Sequence, residues 1–593
     1  MRRSGGGWLP VVAGALAGIV TLLAGVPAAA ADTTTTTRPA PLSGAGAGAG
    51  TSQAGTSQAG ASQGSAPEDI ADQAGVIGSP WDPQAVSAPG GRYLRDAFGR
   101  VVILHGVNAV YKHAPYELAI APGQPFDFSA ADAAAISKAG FDMVRLGILW
   151  QGLEPGGTPN SAGICTPGSP RPPGRFSDAV ADAYLQRVVR VVDLLGSYHI
   201  HTLIDMHQDV YATQFRGEGA PAWAVCTDNQ PIEVLPDRWS RNYASPTLNI
   251  AEQHFWQNDV VGNLQGQFDQ VWGVVAATFR GNPWIVGYDP YNEPFARQAD
   301  LIAGSDPPVH VASTLECFYT GRQHPGLVPG SRTPVRCPAT DPLEGVVPTI
   351  EEADPGHLVF VEPDIYYNHG APVLLGPMPF PDLVYNVHVY CPNRDPVTGA
   401  PASATACAAH AIKQLARREA ERAGLATAQQ PGGPPMFLSE FGATSNQSLL
   451  QSVTADAARM DLGWAYWSWK YYDDPTGSTD EPLATSDTRL LPQMAALATP
   501  YAEAIAGDPT ETAFDPATRT FTLGYEVDPA IAAPTVVMTA PARYPDGYCA
   551  TATGATITSA AGASHLLLQN DPVAARVTFS LAPGACRSAS VPS

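Results

Sequence analysis

Basic residues are scarce in this sequence. Its 593 residues include 33 lysines and arginines against 55 aspartates and glutamates, which gives a formal net charge of −22. Nucleic-acid binding needs a basic surface that neutralises phosphates, and charge-driven docking on an anionic membrane needs a similar surface. The charge balance therefore argues against both classes of partner, and it is compatible with neutral sugars and neutral glycolipids.

Metal-binding and redox motifs are also missing. The 8 cysteines contain no Cys-x-x-Cys pair, and the 13 histidines contain no His-x-x-x-His pair. Because zinc ribbons, thioredoxin-type sites and helical zinc sites need such spacings, we expect no metal and no cofactor. The cysteines fit disulfides in an oxidising compartment instead. Proximity along the chain suggests the pairs Cys165/Cys226, Cys317/Cys337, Cys391/Cys407 and Cys549/Cys586, although many other pairings are open.

Only one apolar run is long enough to resemble a membrane segment. Arg2 and Arg3 precede a mostly apolar stretch from Trp8 to Val26, and a small-residue sequence follows it. This order is typical of a secretory signal peptide, and an uncleaved membrane anchor is the alternative. We expect residues 1–31 to be removed and the mature protein to be secreted.

The rest of the chain divides into three parts. Residues 32–80 have almost no apolar bulk and repeat Thr-Ser-Gln-Ala-Gly, which predicts a disordered low-complexity linker. In residues 81–508, eight buried-strand patterns alternate with helical or loop segments, which predicts a catalytic TIM (β/α)8 barrel. Residues 509–593 contain short β-like runs between turns, which predicts an antiparallel β-sandwich. The predicted barrel strands are 101–110, 143–150, 201–207, 285–293, 357–363, 383–390, 436–441 and 463–470.

Two glutamates stand at or near the carboxyl ends of predicted strands. Glu293 ends the fourth, and Glu440 is the penultimate residue of the seventh. Since such ends converge on one pocket in a TIM barrel, the two carboxylates are expected to face each other. Paired carboxylates can hydrolyse a glycosidic bond, one as nucleophile and the other as acid and base. Other polar or aromatic residues at these ends are Arg145, His207, Asp209, Asn292, His388, Tyr390 and Trp467.

Together these motifs resemble the retaining glycosidases of family five. The matching segments are Asn292-Glu293-Pro294, His388-x-Tyr390, Glu440, Arg145 in Val-Arg-Leu-Gly, and Trp464-Ala-Tyr-Trp467. Within that family the chain looks most like the endoglycoceramidases, through residues 106–116, 205–211, 219–224 and 471–474. These enzymes release an intact oligosaccharide from the ceramide of a glycosphingolipid, and they carry a C-terminal β-sandwich.

The resemblance implies a role for each matching residue. Glu440 would be the nucleophile, kept ionised by Arg145 and Tyr390, and Glu293 would be the protonated acid. The residues implied to surround the sugar being cleaved are Asn292, His207, Tyr390 and Trp467. The residues implied to face the second sugar are Lys112, Asp209 and Trp223. From the sequence alone, Lys112 could instead be a rim charge in water, and Asp209 could be solvated in its loop or bonded to the backbone. Loop packing is the alternative for Trp223, but we favour the sugar contact there.

The expected activity is that of a secreted retaining endo-β-glycosidase acting between oligosaccharide and ceramide. An insertion, Leu301 to Arg336, departs from the family pattern and leaves the leaving group open. The alternatives are a glucosylceramidase, a cellulase or other β-glycanase, and a non-catalytic carbohydrate-binding surface protein. The expected partners are a glycolipid or oligosaccharide substrate and a transiently contacted membrane or micelle surface, and we expect a monomer.

Overall fold

The computed structural model describes residues 56–60, 91–168, 178–235, 239–296, 307–321, 345–369, 375–391 and 403–586. The predicted signal peptide and much of the predicted insertion lie outside these residues. No helix in these ranges is both long enough and apolar enough to span a bilayer.

Strands and helices alternate through the first part of the described chain, and strands dominate its end. The strands are β1 (Thr56–Gly60), β2 (Leu94–Arg95), β3 (Val101–Val102), β4 (His105–Ala109), β5 (Met143–Ile148), β6 (His201–Met206), β7 (Ile285–Asp289), β8 (Leu358–Val361), β9 (Leu383–Val389), β10 (Met436–Gly442), β11 (Trp464–Trp467), β12 (Tyr501–Ile505), β13 (Gly507–Asp515), β14 (Thr520–Val527), β15 (Thr535–Met538), β16 (Tyr548–Thr553), β17 (Ala555–Ile557), β18 (His565–Asn570) and β19 (Arg576–Pro583). The α-helices are α1 (Ala130–Lys138), α2 (Trp150–Leu153), α3 (Asp178–Gly196), α4 (Pro246–Gln257), α5 (Leu264–Phe279), α6 (Pro307–Thr320), α7 (Val346–Ala353), α8 (Ala404–Ala423), α9 (Gln447–Arg459) and α10 (Met494–Leu497).

Strands β4 to β11 close into a parallel barrel in sequence order, which confirms the predicted TIM barrel. Apolar side chains such as Leu203, Leu358 and Phe437 form one buried cluster within it, and a larger cluster joins the strands to the helices. Between β8 and β9 the described chain forms only a 3₁₀ turn, Ile365–His369. The glycines and prolines of this connection explain why it forms no full helix there.

The C-terminal strands build the predicted antiparallel sandwich from two sheets, in the orders β1-β16-β19-β14-β13 and β17-β18-β15-β12-β3-β2. The second sheet includes β2 and β3, which precede the barrel in the sequence, and β12, which precedes the predicted boundary at residue 508. The run 101–110, predicted as one barrel strand, is therefore divided between two sheets. Its continuous apolar character hides the division, because Val101 packs in the sandwich core and Val102 packs at the barrel floor.

Strand β1 lies within the segment that was predicted to be disordered. Residues 56–60 pair antiparallel with β16, at the edge of the first sheet. Pairing of this kind uses backbone hydrogen bonds, which need no apolar side chain. The composition of the linker could therefore not indicate this strand.

Three of the suggested disulfides are present: Cys165–Cys226, Cys391–Cys407 and Cys549–Cys586. The fourth suggestion depends on Cys337, which lies outside the described residues. Cys165–Cys226 joins the two long connections that follow β5 and β6. It therefore cross-links loops at the end of the barrel where the predicted site residues lie.

Barrel and sandwich meet around a buried polar group. The His105 ring stacks between Trp464 and Tyr501, with centroid distances of 4.2 and 3.7 Å. The Asp142 side chain accepts a hydrogen bond from the His105 backbone N–H at 2.8 Å. Burial raises the pKa of Asp142 well above its usual range, and neighbouring Glu503 raises it further. The ionised carboxylate is less favourable in the folded protein than in the unfolded chain. The free energy of unfolding therefore falls as pH rises from the unfolded pKa of this carboxyl towards its folded pKa.

Asp142→Asn is expected to remove this penalty while keeping the hydrogen-bond acceptor. The melting temperature should rise by about 2 °C at pH 8 and by less at pH 4, because the aspartate of the unfolded chain, with a pKa of about 3.9, is then about half protonated. Differential scanning calorimetry at both pH values measures the effect. Asp193→Asn, on the exposed face of α3, is the matched control and should change neither value. A loss of stability at pH 8 would contradict the assignment.

Candidate active site

The fold brings the two predicted glutamates together at one end of the barrel. Glu440 belongs to β10, and Glu293 lies four residues beyond the end of β7. A carboxylate oxygen of Glu293, one of Glu440 and a ring nitrogen of His388 all lie within 4.8 Å of one another. Retaining glycosidases hold their carboxyl groups about 5 to 5.5 Å apart and inverting enzymes about 6.5 to 9.5 Å apart. The observed spacing matches the retaining geometry.

Both oxygens of Glu440 have a hydrogen-bond donor. Arg145 donates from Nη1 to Oε1 at 2.6 Å, and the Tyr390 hydroxyl donates to Oε2 at 2.7 Å. Charge-assisted bonds of this length hold a carboxylate in one orientation. The structure therefore places Arg145 and Tyr390 beside Glu440, and their roles in catalysis stay a prediction.

Arg145 is fully buried and binds more carboxylates than the sequence predicted. Its Nη2 lies 2.9 Å from Asp205 and 2.8 Å from Asp289, and it lies 3.3 Å from Glu362. Sequence reasoning assigned none of these three to the site. Their position could have indicated them, because each of the three lies at or next to the carboxyl end of β6, β7 or β8.

Glu293 is held at its backbone as well as at its side chain. Its N–H donates to Glu362 Oε2 at 3.1 Å, and its carbonyl accepts from Gln208 Nε2 at 3.0 Å. The residue has a φ of 47°, in the left-handed region that a non-glycine residue rarely adopts. Strain of this kind collects at functional sites, where surrounding contacts maintain it. Here the contacts with Glu362 and Gln208 do so.

Burial raises the pKa of Glu293 to about 6, and the charge of Glu440 also raises it, while the His388 hydrogen bond opposes both effects. His388 Nδ1 lies 2.9 Å from Glu293 Oε1, and its Nε2 lies 3.1 Å from Glu362 Oε1. Burial lowers the pKa of His388, but the Glu362 and Glu440 charges outweigh it and leave this pKa well above its usual value. We therefore describe His388 as an imidazolium that joins Glu293 to Glu362.

Replacing His388 by Gln is expected to move the pH profile. A general acid must be protonated, so kcat/KM for a poor leaving group should fall as pH rises through about 6 in the unaltered enzyme. Without the imidazolium the pKa of Glu293 rises, and this limb should move up by about one pH unit. Hydrolysis of an alkyl β-glycoside between pH 4 and 9 measures the limb. His254→Gln, in helix α4, should leave the limb in place because His254 pairs with Asp259 and Asp228 and not with Glu293, and a downward shift in His388→Gln would contradict the proposed contact.

A second cluster adjoins the carboxylate pair. Lys112 Nζ lies 2.6 Å from Asp209 Oδ2 and 4.6 Å from the centroid of the Trp467 ring. His207 also contacts this tryptophan, because its ring stacks on Trp467 at 5.2 Å with an interplanar angle of 15°. His207 also binds Asp205 at 2.7 Å, which connects this cluster to Arg145. Lys112 is buried, so the interpretation of it as a rim charge in water is wrong.

Asn292 and Trp223 differ in how the structure places them. The Asn292 amide accepts from Arg145 at 2.9 Å and donates to the Gln208 carbonyl at 2.9 Å, so it is fixed beside the catalytic pair. Trp223 donates its indole N–H to the Glu154 carbonyl at 3.1 Å and packs edge-on against Trp150. These contacts hold loop segments together, and a sugar contact of Trp223 stays a prediction.

Within the described ranges, two sets of side chains have the spacing of metal ligands. One is His207, Asp209 and Glu218, and the other is the Glu293, His388 and Glu440 set. In the first, Lys112 Nζ lies 2.6 Å from Asp209 and 3.3 Å from Glu218, so an ammonium group already neutralises these carboxylates. A cation there would be repelled by the lysine. The sequence-based expectation of a metal-free site stays a prediction.

A closed parallel barrel with two facing glutamates at the carboxyl ends of its strands defines a glycoside hydrolase. Residues 117–473 match Cellulase (glycosyl hydrolase family 5), and residues 500–579 match the glycoside hydrolase family 5 C-terminal domain. The chain belongs to glycosyl hydrolase family 5.

The proteins that this chain resembles include endoglycoceramidases. Endoglycoceramidase I of Rhodococcus hoagii (strain 103S) is 27% identical over 498 residues, which cover 80% of this chain and 83% of that protein. An endoglycoceramidase of Cyanea nozakii is 28% identical over 229 residues, 35% of this chain and 41% of that protein. The solved lactosyl-enzyme intermediate of endo-glycoceramidase II from Rhodococcus sp. is 25% identical, with a TM-score of 0.63 over 83% of this chain and 100% of that one.

Proposed function

We propose that this glycoside hydrolase is a retaining endo-β-glycosidase that cleaves the bond between oligosaccharide and ceramide in glycosphingolipids. The observation that carries the mechanism is the spacing of Glu293 and Glu440, whose nearest oxygens lie within 4.8 Å. The proposed substrate class draws support from the similarity to endoglycoceramidases along most of the chain. The solved ganglioside GM3 complex of a 25% identical relative, with a TM-score of 0.64, also supports a glycolipid substrate.

In the first step Glu440 attacks the anomeric carbon. The glycosidic C–O bond breaks, and the departing ceramide oxygen takes the proton of Glu293. Arg145 and Tyr390 orient the attacking carboxylate through the hydrogen bonds at 2.6 and 2.7 Å. The raised pKa of Glu293, about 6, keeps a large share of this carboxyl protonated in mildly acidic solution. Two identical side chains thus differ in role because their surroundings differ.

In the second step Glu293, now ionised, takes a proton from water. The resulting hydroxide attacks the anomeric carbon and displaces Glu440, which returns the oligosaccharide with its original configuration. His388, at 2.9 Å from Glu293, stabilises the ionised form that exists between the two steps. The Nδ2 group of Asn292 already donates to the Gln208 carbonyl, so a bond to the sugar 2-OH would use its second N–H.

The remaining residues shape the place where the sugars lie. The Trp467 ring, which contacts His207 and Lys112, offers apolar surface for a pyranose. Lys112 and Asp209 add a charged pair beside it, suited to the hydroxyls of a second sugar. We further propose that the mature protein is exported and works as a monomer with transient contact to micelles or membranes. The three disulfides in the described residues support an oxidising destination.

A fluorescent lactosylceramide tests the proposal directly. An endo-acting enzyme should release intact lactose and labelled ceramide, whereas a glucosylceramidase should release glucose from glucosylceramide and leave lactosylceramide intact. A β-glycanase should cleave cellulose or mannan oligosaccharides and neither lipid. Mass spectrometry of the products distinguishes these outcomes.

Glu293→Gln and Glu440→Gln should each abolish release of ceramide. Glu511→Gln, on an exposed position of the sandwich, is the matched control and should keep full activity. Hydrolysis of an aryl β-glycoside that survives in both active-site variants would overturn the assignment of the carboxylate pair.

A further inference from the structure

A largely buried glutamate stands beside the tryptophan that is proposed to contact the sugar. Glu481 follows β11, and its Oε2 accepts from the Trp467 indole N–H at 3.1 Å. Because Trp467 lies at the carboxyl end of β11, the Glu481 carboxyl group belongs to the same end of the barrel as Glu293 and Glu440. The sequence motifs did not indicate this residue.

The chain around Glu481 is attached to β11 and to the residues that follow this strand. The Tyr466 hydroxyl donates to the Glu481 carbonyl at 2.7 Å, and the Leu483 N–H donates to the Ser468 carbonyl at 3.0 Å. On the other side Gly477 packs so closely that an added Cβ would lie 2.7 Å from Glu481 Oε2. These contacts hold the carboxyl group in a defined position, as a binding residue requires.

The Glu481 carboxyl group also adjoins the cluster around Lys112. The same added Cβ at Gly477 would lie 2.9 Å from Asp474 Cγ, so the carboxyl groups of Asp474 and Glu481 approach each other across this glycine. Lys112 Nζ lies 3.1 Å from Asp474 Oδ2 and 4.6 Å from the centroid of the Trp467 ring. Glu481 therefore borders both the apolar ring and the charged pair that are proposed to receive sugars.

This carboxyl group has acceptor capacity that the protein leaves unused. An ionised carboxylate offers about four acceptor positions, and among the described side chains only Trp467 donates to Glu481. The residue is 8% exposed, so the group is not sealed in the core. Burial raises the pKa of Glu481 to about 7, and the Asp474 charge raises it further, while Lys112 opposes both. A hydroxyl that donates to the carboxylate would favour its ionised form.

We propose that Glu481 accepts a hydrogen bond from a hydroxyl of the sugar that lies on Trp467, and that this contact determines which sugar the site accepts. The inference rests on the glycosidase activity proposed for this site. A tryptophan ring alone binds the apolar face of many pyranoses, whereas a fixed carboxylate discriminates by hydroxyl position. A sugar that lacks the contacted hydroxyl leaves a buried acceptor without its donor, so it is rejected.

A panel of aryl β-lactosides, each with one hydroxyl replaced by hydrogen, tests the contact. In Glu481→Gln the amide oxygen can still accept from Trp467, but the charged acceptor for the sugar is lost. For the complete lactoside, kcat/KM should fall about tenfold or more. For the one deoxy-lactoside that lacks the contacted hydroxyl, the same substitution should lower kcat/KM by less than about threefold, because the contact is already absent.

Glu252→Gln is the matched control. Glu252 is also a buried carboxyl group that accepts from a tryptophan, Trp256, at 2.8 Å, but it lies in helix α4. Its substitution should change kcat/KM by the same factor for every member of the panel. If Glu481→Gln does so too, its role is only structural and the proposal is wrong. Glu481→Asp, which shortens the reach by one carbon, should show the selective pattern and decides the question if the glutamine variant fails to fold.

Sugar binding without turnover separates failure of this inference from failure of the proposed function. In Glu440→Gln, a tryptophan-fluorescence titration with lactose and cellobiose should show saturable binding, and adding Glu481→Gln should raise Kd about tenfold. Lactosylceramide hydrolysis with no selective effect of Glu481→Gln in the panel would overturn the contact and leave the proposed activity in place. Absence of all hydrolysis, with sugar binding that still depends on Glu481, would overturn the activity and support the contact.

Discussion

Glu440→Gly should lower hydrolysis by on the order of 10⁴-fold or more, because it removes the group that forms the covalent bond to the sugar. Added azide should then restore turnover of an aryl β-glycoside. Since the vacated space lies on the face of the sugar opposite the leaving group, the product should be an α-linked glycosyl azide. Nuclear magnetic resonance of the anomeric proton identifies it.

Glu293→Gly provides the matched comparison for this experiment. Its azide product should be β-linked, because the covalent intermediate on Glu440 still forms and azide replaces water in the second step. The defect should be small for a dinitrophenyl leaving group and large for an alkyl one, which needs the proton. A β-linked azide product from Glu440→Gly would reverse the two roles.

Arg145→Met should unfold the protein far more readily than other arginine substitutions. The guanidinium contacts Asp205, Asp289, Glu362 and Glu440 in a fully buried place, and its removal leaves these carboxyl groups without their shared cation. Removing one partner of a buried ion pair costs about 3 to 5 kcal/mol. Urea denaturation at pH 7 measures the loss. Arg417→Met, which breaks a half-exposed pair with Glu421, should cost no more than about 1 kcal/mol.

The pH dependence of the Arg145→Met defect separates charge from packing. Uncompensated buried carboxyl groups have folded pKa values above their unfolded ones, so their penalty appears above the unfolded pKa and disappears at low pH. The stability difference from the unaltered protein should therefore shrink between pH 7 and pH 4. A difference that is constant over this range would indicate a packing defect instead.

The main features of the barrel follow from local patterns. Buried parallel strands are continuous apolar runs, and each run here ends in polar residues, so Glu293, Glu440, Arg145 and Tyr390 could be placed from the sequence. The buried carboxylates that bind Arg145 could not be placed in this way. Asp205, Asp289 and Glu362 become a site only because one arginine from another strand reaches all three, and no spacing along the chain records that contact.

The sequence also did not predict where the chain passes from one sheet to another. A run such as 101–110 is apolar whether it stays in one sheet or crosses into another, because both destinations are buried. Helix α4 has only a weak signal in the sequence. Its sequence lies inside a long connection, and its buried polar residues, such as Asn249 and Glu252, weaken the periodic signal.

The pairing of β3 with β12 has a consequence for biosynthesis. Strands β2 and β3 precede the barrel, but their sheet cannot be completed until β12 and then β15, which follow the barrel, have been made. A gene shortened after residue 508 would deprive β12 of its partner β15 and expose an open edge, with the aggregation that such edges invite. Any shorter catalytic fragment therefore has to retain the sandwich or rebuild that edge.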